Sequence, residues 1–129
     1  MTITTLILFI IILILPSTYQ RIHFALRADD FLKISLRKKV GLQIHHGHWG
    51  LLWIFVSSMW LIFGDKSIYP ILLAGFGWGL LLDEIVPALR MPSDDRLLEL
   101  EIYRDSTKAT VILLGIIVLL IVGLFFLLK

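Results

Sequence analysis

The sequence predicts a membrane, mainly α protein: four transmembrane helices with a small cytoplasmic β cap from residues 21–46 and 97–103. Three observations carry this. Hydrophobic residues make up 58% of the 129 positions and mean hydropathy is +0.91, above the 45–50% apolar content usual in soluble domains. The apolar residues gather into stretches over 2–19, 49–63, 67–89 and 109–128, which read as membrane spans. Between these stretches the pattern changes to an apolar/polar alternation of period two, the signature of half-buried strands. Residues 1–129 therefore form a single integral membrane domain, with no room for a separate soluble enzyme domain.

The first apolar run reaches Leu15 and meets Pro16. Carried through Ser17 and Thr18 to Tyr19 it is long enough to cross, and a proline inside a membrane helix gives a tolerable kink. A cleavable signal peptide is the alternative. No Lys or Arg precedes the run and no small-x-small site follows it, which favours a retained anchor.

In the next segment Ile22, Phe24 and Leu26 alternate with Arg21, His23, Ala25 and Arg27. After Ala28-Asp29-Asp30, Leu32, Ile34 and Leu36 alternate with Lys33, Ser35 and Arg37, and the pattern resumes through Val40, Leu42 and Ile44. Two alternating runs around an Asp-rich turn predict a β-hairpin that delivers the chain to a histidine cluster. An amphipathic helix on the membrane surface is the rival reading. Leu98, Leu100 and Ile102 alternate with Glu99 and Glu101, a third candidate strand that could pair its acids with Lys33 or Arg37. A short helix capped by Asp94 or Asp95 is the alternative there.

The second and third spans are joined by a few residues around Gly64-Asp65-Lys66, so they are antiparallel neighbours. Trp49, Trp60 and Tyr69 are of the type enriched at membrane interfaces, with Trp53 and Trp78 deeper. The last span is interrupted only by Gly115 and Gly123, which lie on similar helix faces and allow a close neighbour.

Charge sets the expected orientation. Arg21, Arg27, Lys33, Arg37, Lys38 and Lys39 lie between the first two spans, and Arg90, Arg96, Arg104 and Lys108 between the last two. The positive-inside rule then puts 19–48 and 90–108 in the cytoplasm and both termini outside, in a cell (inner or plasma) membrane. A net charge of +2 makes no case for nucleic acid, and the lack of cysteine removes thiolate metal sites and cysteine nucleophiles. Ser57 and Ser58 lie mid-span without a neighbouring histidine, which argues against a serine nucleophile.

The chemistry concentrates in the hairpin from His45 to Pro87. Folded about the midpoint between Asp65 and Lys66, it sets His48 level with Asp83 and His46 within a turn of Glu84, roughly 26 Å from the turn at 1.5 Å per residue. Imidazoles with carboxylates are the nitrogen–oxygen ligands of zinc, iron or manganese. The candidate metal ligands are His45, His46, His48 and Asp83, with Glu84 as catalytic general base. The structural alternative is an interfacial polar layer in which the histidines bond to carbonyls and carboxylates, and Asp83 and Glu84 pair with Arg90 and another loop cation. Gly75, Gly77 and Gly79 lack the third glycine and the preceding strand of a dinucleotide loop. Gly75 and Gly79 read as a close helix contact.

At His45-His46-Gly47-His48-Trp49-Gly50 and Gly75-Phe76-Gly77-Trp78-Gly79-Leu80-Leu81-Leu82-Asp83-Glu84-Ile85 the chain resembles small uncharacterised prokaryotic membrane proteins with a His-His-x-His start to one span and a Gly-rich, Asp-Glu-ended next one. More weakly it is similar to the membrane-bound metal-dependent hydrolases. Their histidine one turn before the Asp is replaced here by Gly79 and Leu80. That second resemblance implies a divalent-metal hydrolase acting on an amphiphilic ester or phosphoester. The expectation from a different class is a non-enzymatic structural or accessory subunit, partnered by the lipid bilayer and by a homo-oligomer or larger membrane complex.

Overall fold

In a computed structural model the described residues are 2–31, 46–64, 67–90, 102 and 104–128, with side chains of the first helix described to His23, and all but a few at the helix ends are helical. The helices are α1 Ile3–Phe31, α2 His46–Phe63, α3 Ile68–Arg90 and α4 Thr107–Leu127. Three segments are long and apolar enough to cross a membrane: Ile3–His23, Ile68–Arg90 and Thr107–Leu127. The chain is thus a helical membrane protein. α2, expected as a fourth span, is 18 residues long and opens on His46-Gly47-His48, and it is not among the three. Its polar first turn leaves too little apolar length for a span of the usual 20 residues or so.

The β cap is corrected where it can be seen. Residues 21–27, expected as the first strand, continue α1 as helix, and no strand occurs among the described residues. Ile102, at the end of the expected third strand, is also helical, and the remainder of the proposed cap, residues 32–45, 97–101 and 103 with Lys33, Arg37, Glu99 and Glu101, lies outside the described residues. Helix wins over alternation at 21–27 for a tertiary reason. One turn of helix after Ser17 places Arg21 on the same face, where both reach α3. Pro16 does not end the helix, although it removes the amide that would bond to the Ile12 carbonyl, and its buried ring packs beside Gly79. At the start of α1 the Thr2 and Thr5 hydroxyls lie 2.8 Å apart and the Thr5 amide donates to Thr2 Oγ1 at 3.2 Å, supplying a partner to one of the free amides of the first turn.

α3 is the central helix, and two registers fix its neighbours. Against α2 it is antiparallel: Gly47 lies on Glu84, Gly50 on Gly77 and Leu81, and the Ser57 hydroxyl donates to the Pro70 carbonyl at 2.5 Å. These pairs agree to within about a turn with folding at Asp65–Lys66. Against α1 it is parallel: Gly75 meets Phe9, Gly79 meets Leu13 and Pro16, and Asp83 meets Ser17. α4 runs antiparallel to α1, tied at its start through Thr107 and Thr110 to Arg21. The four helices therefore alternate in direction, with the chain ends at one end of the bundle and the long connections at the other.

Glycine governs how near the helices come. A Cβ on Gly50 would stand 2.6 Å from the Gly77 carbonyl oxygen, and one on Gly77 would stand 2.8 Å from that of Gly50. α2 and α3 thus touch backbone to backbone. The Gly75/Gly79 stripe serves α1, not the hairpin partner. In contrast, Gly115 and Gly123 have nothing described within 4 Å. The core is Leu13, Leu82 and Leu114, with Phe9, Ile85 and Ile117 among the residues packed around it. Outside, Phe63 is 82% and Leu119 73% exposed, as expected of surfaces solvated by lipid.

Candidate functional site

The two acids at the end of α3 diverge. On a helix, Gly75, Gly79 and Asp83 recur every four residues and share one face, while Gly77 and Glu84, seven apart, share another. The first face meets α1 and the second meets α2, so adjacent carboxylates serve different helices.

Asp83 is fully buried. The Ser17 hydroxyl donates to its Oδ1 at 2.7 Å, and the Arg21 guanidinium lies 3.3 Å from the same oxygen. Arg21 in turn donates to the hydroxyls of Thr107 at 2.5 Å and Thr110 at 2.9 Å. One arginine therefore bridges three helices through α1, α3 and α4. Ser17 and Thr110 are buried, and at this depth a charge needs a partner of opposite sign. Asp83 Oδ2 is buried and has no hydrogen-bond partner among the described residues.

Glu84 is nearly buried and faces the start of α2. His46 Nδ1 lies 3.8 Å from Glu84 Oε2, and Gly47 packs on the Glu84 side chain, where a Cβ would come within 3.3 Å of Cγ. His48, one position beyond Gly47, is on the exposed side of α2. His45 lies outside the described residues.

The structure thus brings together one of the expected pairs, His46 with Glu84, and directs Asp83 to α1. Among the described residues no group of three or more His, Asp and Glu side chains is placed to share a metal. The donor chemistry at Asp83 does not suit a resident cation: one oxygen is already held by Ser17 beside a guanidinium at 3.3 Å, and that positive charge repels a second one in a medium of low dielectric.

Ser17, Arg21, Thr107 and Thr110 are the residues that sequence reasoning left out of the site. Ser17 and Arg21 are four apart, as are Gly79 and Asp83, and that shared helical spacing is the signal that pairs them. The period-two alternation instead assigns Arg21 to the polar face of a strand. Ser57 donates across to the Pro70 carbonyl of α3 and Ser58 to the Ile54 carbonyl of its own helix, and His23 stacks on Tyr19 with ring centroids 5.8 Å apart.

Compared with family models, curated proteins and solved structures, the chain matches none of them. The resemblances carried by the histidine and glycine segments rest on those residues alone.

Proposed function

We propose that this chain is a non-enzymatic structural or accessory subunit of a membrane complex. The observation that carries the reading is the use made of the intramembrane polar groups. Ser17, Arg21, Asp83, Thr107 and Thr110 bond helix to helix, so the side chains most suited to chemistry are occupied in holding the bundle. The apolar outer faces of α2 and α4 then serve contacts with lipid and with partner subunits or a second copy. The excess of Lys and Arg in the two long connections supports a cytoplasmic position for that end, with both termini outside, in a cell membrane. Purification from native membranes in mild detergent is expected to yield a stoichiometric protein partner. A metal-loaded monomer or homodimer would refute the reading.

A second reading, a metal-dependent hydrolase of an amphiphilic substrate, is favoured by the 3.8 Å approach of His46 and Glu84, close enough for both to reach one ion at about 2 Å each. His45 would complete a ligand set with His46 and Glu84, from which Asp83 is withdrawn by Arg21 and His48 by its place on the exposed side of α2. Metal analysis of the wild type beside His46→Ala/His48→Ala decides it: equal, substoichiometric metal in both ends this reading.

A further inference from the structure

Of the three helices that meet in the buried polar layer, α4 is held least. Its buried residues are Thr110 and Leu114, both within about two turns of its start. The Leu114 side chain packs with Leu13 and Leu82, and the Thr107 and Thr110 hydroxyls accept from Arg21. Further along, a cleft of about 440 Å³ opens between Ile117 and Ile121 of α4, Phe9 of α1, and Ile71 and Trp78 of α3. The membrane-crossing stretch of α4 is 11% buried, against 44% for that of α3.

α1 and α3 meet differently. Gly75 lies against Phe9, and Gly79 against the Leu13 carbonyl and Pro16, so that contact is backbone packing and needs no charge. Nothing described comes within 4 Å of a Cβ at Gly115 or Gly123, and α4 gains no such seam from its glycines. Its attachment therefore leans on Arg21, and Arg21 leans on Asp83. A guanidinium at this depth is favoured only beside an anion, and Asp83 Oδ1 lies 3.3 Å away. Arg21 is two residues from His23, where the membrane-crossing stretch of α1 ends. With the carboxylate neutralised, the long arginine side chain turns to the interface, and its bonds to Thr107 and Thr110 go with it.

We propose that Asp83 is a positioning residue for α4: it holds Arg21 in the polar layer, and Arg21 docks α4 on the α1–α3 pair. Asp83 makes no hydrogen bond to α4 itself among the described residues; its partners are Ser17 and Arg21. α4 is thereby a separable arm, docked or released as one unit through a single side chain. α1, α2 and α3 stay packed meanwhile through Gly50, Gly75, Gly77 and Gly79. The inference rests on these contacts alone and holds for either reading of the function.

The test measures spin-label distances on the full chain in phosphatidylcholine nanodiscs, and a chain without cysteine takes labels only where they are placed. Ile11→Cys/Leu119→Cys reports α1 against α4, and Ile11→Cys/Leu52→Cys reports α1 against α2; all three positions are exposed. Asp83→Asn keeps an oxygen for the Ser17 hydroxyl and removes the charge. It is expected to lengthen the Ile11–Leu119 distance by about 5 Å or more in most molecules, half of a helix–helix spacing. The Ile11–Leu52 distance is expected to stay where it was. Thr107→Val/Thr110→Val, with Asp83 intact, is expected to release α4 in the same way and serves if Asp83→Asn does not fold. An unmoved α4 in either folded variant overturns the proposal. Equal lengthening of both distances overturns it too, since general loosening of the bundle is not release of α4.

Discussion

Gly79→Ala is the most incisive perturbation of this bundle. A Cβ at position 79 meets the Leu13 carbonyl oxygen, with Leu13 C at 3.1 Å and Pro16 Cγ at 3.0 Å. The first two are backbone atoms of α1, and the third belongs to a ring closed on its own backbone. None can rotate away as the end of a flexible side chain would. α1 must therefore shift away from α3, and overpacking of this kind costs about 1–3 kcal/mol. Because α1 and α3 are parallel, the shift is passed one turn along to Ser17 and Asp83, whose bond is 2.7 Å; a hydrogen bond to a charged group contributes about 1.5–3 kcal/mol. The expected loss is about 2–5 kcal/mol, read as a lower unfolding midpoint by circular dichroism in detergent micelles. Gly115→Ala is the matched control, since nothing described lies within 4 Å of it, and its effect is expected within about 0.5 kcal/mol of zero. If Gly79→Ala is no less stable than Gly115→Ala, the close α1–α3 contact is not what holds the bundle.

Three further outcomes follow from named contacts. Arg21→Met and Asp83→Leu are each expected to destabilise by about 3–5 kcal/mol by stranding the other charge, while the double variant recovers part of that loss; a double-mutant cycle with additive costs contradicts the pairing. Ser57→Ala, which removes the interhelical bond to the Pro70 carbonyl, should cost about 0.6–1.7 kcal/mol, the range for such bonds in membranes. Ser58→Ala, which loses only a bond to the Ile54 carbonyl of its own helix, should cost less, and equal costs in the same unfolding assay count against the interhelical role. In a glycosylation-reporter insertion assay α2 alone is expected to insert less completely than α2 followed by α3, because its first turn is polar and Gly50 packs directly on Gly77; complete insertion of α2 by itself contradicts this.

The Arg21–Asp83 tie also explains why a metal-site reading and a structural reading of the same residues diverge. A histidine-and-acid pattern at a membrane face suits a metal, yet the same Asp beside an arginine suits a helix clamp. Which one is realised depends on a side chain more than sixty positions away in the chain, and no local motif carries that information.

Much of the architecture was legible before any coordinates. Apolar length decided where α1, α3 and α4 run, and the short connection at Gly64 decided that α2 and α3 pair antiparallel. Equal counting from Asp65–Lys66 brought Gly47 to Glu84 and Gly50 to Leu81, because rise per residue is the same in both arms. The spacing of Gly75 and Gly79 announced a close helix contact. Tertiary structure alone decided the rest. Counting sets the level of a residue along a helix, but its face depends on which neighbours that helix has, and α1 was the neighbour that drew Asp83 away from the histidines. The same contact turned residues 21–27 from alternating strand to helix, since Arg21 reaches Asp83, Thr107 and Thr110 only from the helical face it shares with Ser17.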